Sequence, residues 1–239
     1  MRINKMRKAA VKRENLGKSM RFGEHLRSLA ISGTRVFGDS ITAGFNASQP
    51  HLAWPALFAE AVECFPIRNH AIPGTVLQGS QLADGNPRPD NGIGRFENAL
   101  LDAPHRDAIL ILYGYNDARY TAAPDTMNVR NFTRDYAKML EKLIAAGHAE
   151  RLAIGSPPYI PDAGFSVGST GFTSQTRMGF EGYVEVVRKL AQRFSLFYAP
   201  VYESMKAHGD GDLASADIVH PSDAGHHVIA GAFINADRS

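Results

Sequence analysis

One cysteine, Cys64, stands in a chain of 239 residues, which excludes an internal disulfide framework and any cysteine-based zinc cluster. Long apolar runs are also missing. The longest, residues 108–113, falls far short of the roughly 20 that cross a bilayer, so no membrane span is expected. The basic residues near the amino terminus are not followed by the apolar stretch of a secretory signal, and the expected compartment is the cytoplasm. There is no Gly-x-Ser-x-Gly turn, no Walker A loop and no dinucleotide fingerprint, so neither an α/β-hydrolase elbow nor a nucleotide-binding loop is supported. No internal repeat or low-complexity stretch is visible.

Net charge is small at +2 but unevenly spread. Residues 1–21 hold Arg2, Lys5, Arg7, Lys8, Lys12, Arg13, Lys18 and Arg21 against one acid, Glu14. The rest of the chain then has 18 basic and 23 acidic residues, a body of −5 with no general pull on nucleic acid. Three readings of the basic stretch stay open: a mobile arm, a short helix docked on the body, or an artefact of a translation start at Met20.

What is present is the composition of a globular protein: 44% apolar and 21% charged residues. The length fits one domain with an appendage, here an extension over 1–33 and a body over 34–239. Short apolar runs at 34–37, 67–72, 108–113, 152–154 and 196–198 read as strands. The run at 108–113 is continuously apolar, as a strand covered on both faces should be. Helical periodicity marks 54–65 (Leu57, Phe58, Ala61, Val62, Phe65), a short helix with Ile93, Phe96 and Leu100, a helix from Val129 stopped by Gly147, and 180–194. Ser222 reads as the N-cap of a last helix reaching about Asn235. Strands alternating with helices predict an α/β fold, a parallel sheet with helices on both faces. Ligands of such sheets bind beyond the carboxyl ends of the strands.

The loops at those ends carry chemistry. The first reads Gly38, Asp39, Ser40; the second Ile72, Pro73, Gly74; the third Gly114, Tyr115, Asn116, Asp117. After the fifth strand come Asp217, Ile218, Val219, His220. Acyl transfer needs groups of these types. A serine hydroxyl is a weak nucleophile and needs a base to take its proton. His220 suits that task, and Asp217 can fix its tautomer. The oxyanion formed on a carbonyl needs preorganised donors, for which the Asn116 amide and the backbone N–H groups of Gly74 and Ser40 are candidates. Ser40 taken alone reads as an ordinary helix-cap serine, Gly74 as a turn glycine, and Asn116 and Asp217 as loop formers. Asp39 and Asp117 read as local hydrogen-bonders that hold the loops.

Four such blocks in this order resemble the SGNH hydrolases, also called the GDSL family of esterases and lipases. The likeness runs over about residues 34–235; Ile41 stands where the family often has Leu. It implies a flavodoxin-like, three-layer α/β/α sandwich with five parallel strands. It also implies ester hydrolysis through an acyl-serine, with Ser40 as nucleophile, His220 and Asp217 as base and orienting acid, and Ser40, Gly74 and Asn116 as oxyanion donors. No metal or organic cofactor is expected. The expected partner is a small-molecule or carbohydrate ester with a short acyl group; self-association is left open. The rival is a non-catalytic module on the same fold that binds carbohydrate or a partner.

The segment 156–179, rich in Gly, Ser, Thr and Pro, follows the fourth strand. Phe165 and Phe172 are expected to form a substrate wall or lid over Ser40; otherwise the segment is a flexible surface loop. His226 and His227 read as surface or packing residues. His220, Asp223 and His227 have metal-ligand identities at i, i+3 and i+7, but Pro221 argues against a helical His220. Arg88 and Arg95 read as solvated, with an acidic substrate group as the alternative.

Overall fold

The structure, a computed structural model, describes residues 20–79, 90–169, 171–209 and 212–239. Its centre is the strand foreseen as fully covered. β3 (Asp107–Leu112) is buried at every position. Around it lie β1 (Gly33–Gly38), β2 (Ile67–Asn69), β4 (Leu152–Gly155) and β5 (Phe197–Ala199), all parallel, in the order β2-β1-β3-β4-β5. The order reverses between β1 and β3, and their carboxyl ends pair Gly38 with Leu112. In open sheets of this kind the reversal leaves a crevice for ligands.

The sheet has six strands rather than the expected five. β6 (Asp237–Arg238) joins β5 antiparallel, making the sheet mixed though mostly parallel. This edge is held largely by charge: Arg238 forms two 2.6 Å bonds to Glu150 and donates to Ser195 O at 3.0 Å.

Helices cover both faces. One set packs together: α1 (Phe22–Ser28), α3 (Trp54–Val62), α8 (Val201–Lys206) and α9 (Asp223–Ile234). The other set is α4 (Gly92–Phe96), α5 (Tyr115–Arg119), α6 (Val129–Ala145) and α7 (Arg177–Phe194). A four-residue helix, α2 (Ser40–Ala43), follows β1. The caps match the local chemistry: Asn128, Thr176 and Ser222 each accept the N–H three residues on. α3 stops at Val62, three residues before the expected end. Glu63 turns left-handed at φ +58°, and Phe65 precedes Pro66, a position that disfavours helical backbone. The turn of π-helix at Glu97–Leu101 continues α4, with Leu100 buried as its spacing suggested.

Residues 1–19 and Arg88 lie outside the described residues, so the readings placed on them stand as expectations. The segment ahead of β1 contains α1, a docked helix: Phe22 and Leu26 are fully buried, and Phe22 meets Phe197 with ring centroids 4.8 Å apart. No helix of the described residues is long and apolar enough to cross a membrane.

Candidate active site

β1 ends at Gly38, a position where nothing larger than glycine fits. A Cβ there would collide with the Thr42 hydroxyl and the Leu112 carbonyl. The chain then turns into α2, whose N-cap is Asp39, with Oδ1 accepting from Ile41 N at 3.0 Å. Ser40 is the first residue of α2 and is 7% exposed. The loops after β2 and β3 are laced together above it. Asn116 donates from Nδ2 to Thr75 O at 2.9 Å, and the Asp117 carboxylate accepts from Leu77 N and Gln78 N at 2.9–3.1 Å. Gly74 lies at φ +74°.

His220 arrives from a separate loop, closed by a bridge between Ala214 and Pro221. Its Nε2 is 2.9 Å from Ser40 Oγ, and its Nδ1 is 2.7 Å from Asp217 Oδ2. These partners assign Nδ1–H as donor to the carboxylate and Nε2 as acceptor from the hydroxyl. Asp217 Oδ1 accepts from Val219 N, His220 N and Ser215 Oγ, and Oδ2 also accepts from Asn46 Nδ2 at 2.8 Å. Partial burial pushes this carboxyl up. The hydrogen bonds from the His220 backbone and ring, Ser215 and Val219 outweigh it and hold the group well below the usual carboxylate range. Asp217 is therefore an anion at neutral pH, fit to favour a positive charge on the ring.

Two other carboxyls go the opposite way. Burial pushes Asp39 up to about 7 and Asp117 up to about 6. Asp117 keeps its hydrogen bonds, whereas Asp39 Oδ2 is enclosed without a partner. Both act on the loops, in line with the local role read from the sequence.

Ser40, Gly74, Asn116, Asp217 and His220 open on one cleft of about 400 Å³. Phe172 lines it too. Phe165 does not belong to its lining, and this corrects the expectation of a paired aromatic wall. Phe165 is 7% exposed and packs beneath, against Phe180 at 5.7 Å, because the 3-10 turn Asp162–Ser166 faces it inward. His226 is fully buried, with Nδ1 accepting from Trp54 N and Nε2 bonded to Phe45 O, and His227 is exposed. The i, i+3, i+7 set is not assembled as ligands: both His220 nitrogens are engaged, and the Asp223 carboxylate accepts from Ser48 N and Oγ. Arg95 is neither solvated nor in the cleft. It lies under the floor, donating to Gly38 O, His70 O and Asp90 O, with its guanidinium 4.2 Å from the Phe37 ring centroid.

Several residues of the site carry no sequence signal. Phe45 sits 5.4 Å from the His220 ring, and Asn46 and Ser215 steady Asp217; all three lie in irregular loops without a period to read. Arg119 is different. It lies three residues after Asn116, one helical turn on, and that spacing could have placed it beside the cleft.

A match over residues 36–228 is found with the family model for GDSL-like lipases/acylhydrolases. The chain belongs to this family. Solved structures of the same fold include a lipase/acylhydrolase from Enterococcus faecalis, 20% identical, covering 84% of this chain and 93% of that one with a TM-score of 0.63. A lipolytic G-D-S-L protein from Veillonella parvula is 19% identical, with coverage of 84% and 95% and a TM-score of 0.60. An acetyl xylan esterase is 19% identical, with coverage of 83% and 96% and a TM-score of 0.59. At these identities the likeness is one of fold. No curated protein matches the chain by sequence.

Proposed function

We propose that the protein is a serine ester hydrolase that cleaves carboxylic esters with short acyl groups through an acyl-serine intermediate. The observation that carries this is the hydrogen-bonded line from Asp217 through His220 to Ser40, opening on a cleft shared with Asn116 and Gly74. Ser40 Oγ attacks the ester carbonyl and passes its proton to His220 Nε2. The imidazolium is stabilised by Asp217, and the oxyanion by the Asn116 amide and the N–H groups of Gly74 and Ser40. The alcohol leaves with the proton from His220. Water, deprotonated by His220, then releases the acid and restores Ser40. A binding module would have no use for a nucleophile in contact with its base.

A cleft of about 400 Å³ lies at the small end of ligand sites, which favours acetyl or another short chain on a small or carbohydrate alcohol. The test is a panel of p-nitrophenyl esters from acetate to palmitate, alongside acetylated xylan. Turnover is expected to be highest at the short end. A folded protein that hydrolyses none of them overturns the reading.

A further inference from the structure

Arg119 is 4% exposed, yet among the described residues no carboxylate forms an ion pair with it. Its guanidinium is used on one side only. Nη2 donates to Val167 O, to Phe172 O at 3.3 Å and to Gly164 O at 3.5 Å, and the group lies 5.4 Å from the Tyr115 ring centroid. Those bonds peg Gly164, Val167 and Phe172, and Gly168 gives room: a Cβ there would stand 3.1 Å from Nη2. Nε is enclosed without a partner. Nη1 is neither enclosed nor bonded within the protein, and Arg119 lines the cleft that holds Ser40 and His220.

A guanidinium stays charged throughout the accessible pH range. A buried cation without a counter-charge is costly unless something pairs with it. Three backbone carbonyls offer dipoles, not a charge, and they leave two nitrogens unspent. Among the described residues nothing supplies that partner, and the open side of the group faces the cleft.

Resting on the esterase reading, we propose that the natural ester carries an anionic oxygen group, a carboxylate in the simplest case, which Arg119 receives in the cleft. Arg119 follows Asn116 by one turn of α5, so the anion sits beside the reacting carbonyl, on the acyl or the alcohol part.

Two matched pairs test this. On the acyl side, p-nitrophenyl hemisuccinate is compared with p-nitrophenyl 4-methylpentanoate. On the alcohol side, 4-acetoxyphenylacetate is compared with 4-isobutylphenyl acetate. The anionic member of one pair should show at least about a tenfold advantage in kcat/KM at low salt, shrinking as salt screens the charge. The pair that responds names the side. Arg119→Gln should bring that ratio to about one, whereas Arg119→Lys should keep part of it; a peg for the loop alone would alter both members equally. Calorimetry of the same pairs on Ser40→Ala protein reads binding without turnover. Tighter binding of the anion there supports the anion contact separately from the rate of hydrolysis. An advantage under about twofold in both pairs, by rate and by calorimetry, overturns it, and hydrolysis of the neutral esters would then leave the esterase reading standing.

Discussion

Arg95 and Arg119 bond to different segments around the site and behave differently. Arg95 bonds with all three guanidinium nitrogens to the ends of β1 and β2 and to the entry of α4. Arg119 bonds with one, encloses Nε without a partner and leaves Nη1 open. The first belongs to a floor set by strand register, in which the strand-end carbonyls are bonded and geometry is fixed. The second belongs to a wall built by the long connection after β4, whose course the sheet does not dictate. A floor of this kind suits chemistry that tolerates little displacement. A wall of this kind suits selection, since it can differ between relatives without disturbing the nucleophile.

Substitutions in the floor are expected to change kcat and those in the wall to change preference. The largest effect is expected from Ser40→Ala, a loss on the order of 10⁶ in kcat with the melting temperature kept. Asp217→Asn should cost about 10⁴ in kcat by presenting the wrong tautomer of His220. Asn116→Ala should lower kcat by roughly 10²–10³ and leave KM nearly constant, because the oxyanion exists only near the transition state. A rise in KM at constant kcat would move Asn116 from chemistry to ground-state binding.

The two phenylalanines of the connection sharpen the contrast. Phe165→Ala opens a hole in the core and should cost about 3–5 kcal/mol of stability, read by denaturant unfolding, without altering acyl preference. Phe172→Ala should instead leave stability closer to the parent and lower the selectivity for butyrate over acetate by about fourfold per methylene lost from contact, about 0.8 kcal/mol each. Equal ratios across the ester series in the Phe172 variant would remove it from the wall.

The smallest effect concerns pH. Burial raises Asp39 and Asp117 above their unfolded value of 3.8, so the folded state binds more protons than the unfolded one between about pH 4 and 7. These two groups should therefore add stability, by about 1 kcal/mol or more, as pH falls from 7.5 to 5, against His70, His148 and His226, whose lowered pKa takes stability away over the lower part of that range. Asp217 acts oppositely but lower: its contribution is complete above about pH 4 and fades only beneath it. Asp39→Asn should flatten the slope between pH 5 and 7.5. An unchanged slope in that variant would place the proton elsewhere.

Elements with one strong signature were legible in the sequence, β3 by its unbroken apolar run and α9 by Ser222. The four blocks were legible as a set, because strand-end loops of a parallel sheet gather on one rim. β6 was not, since Asp237 and Arg238 are polar and pair through charges distant in the chain. Phe165 and Phe172 could not be told apart, for a loop has no period to say which side chain turns inward. Asn46 supports Asp217 across 171 residues, a contact that local spacing cannot announce.

The central claim is that the floor delivers Ser40 as the reactive group. A fluorophosphonate probe, which reacts with an activated serine, tests it directly when the adduct is mapped by mass spectrometry. One adduct per chain, on the peptide carrying Ser40, and none in the His220→Ala protein, is the predicted result. An ester-hydrolysing protein labelled at another residue, or one whose labelling survives loss of His220, would contradict it.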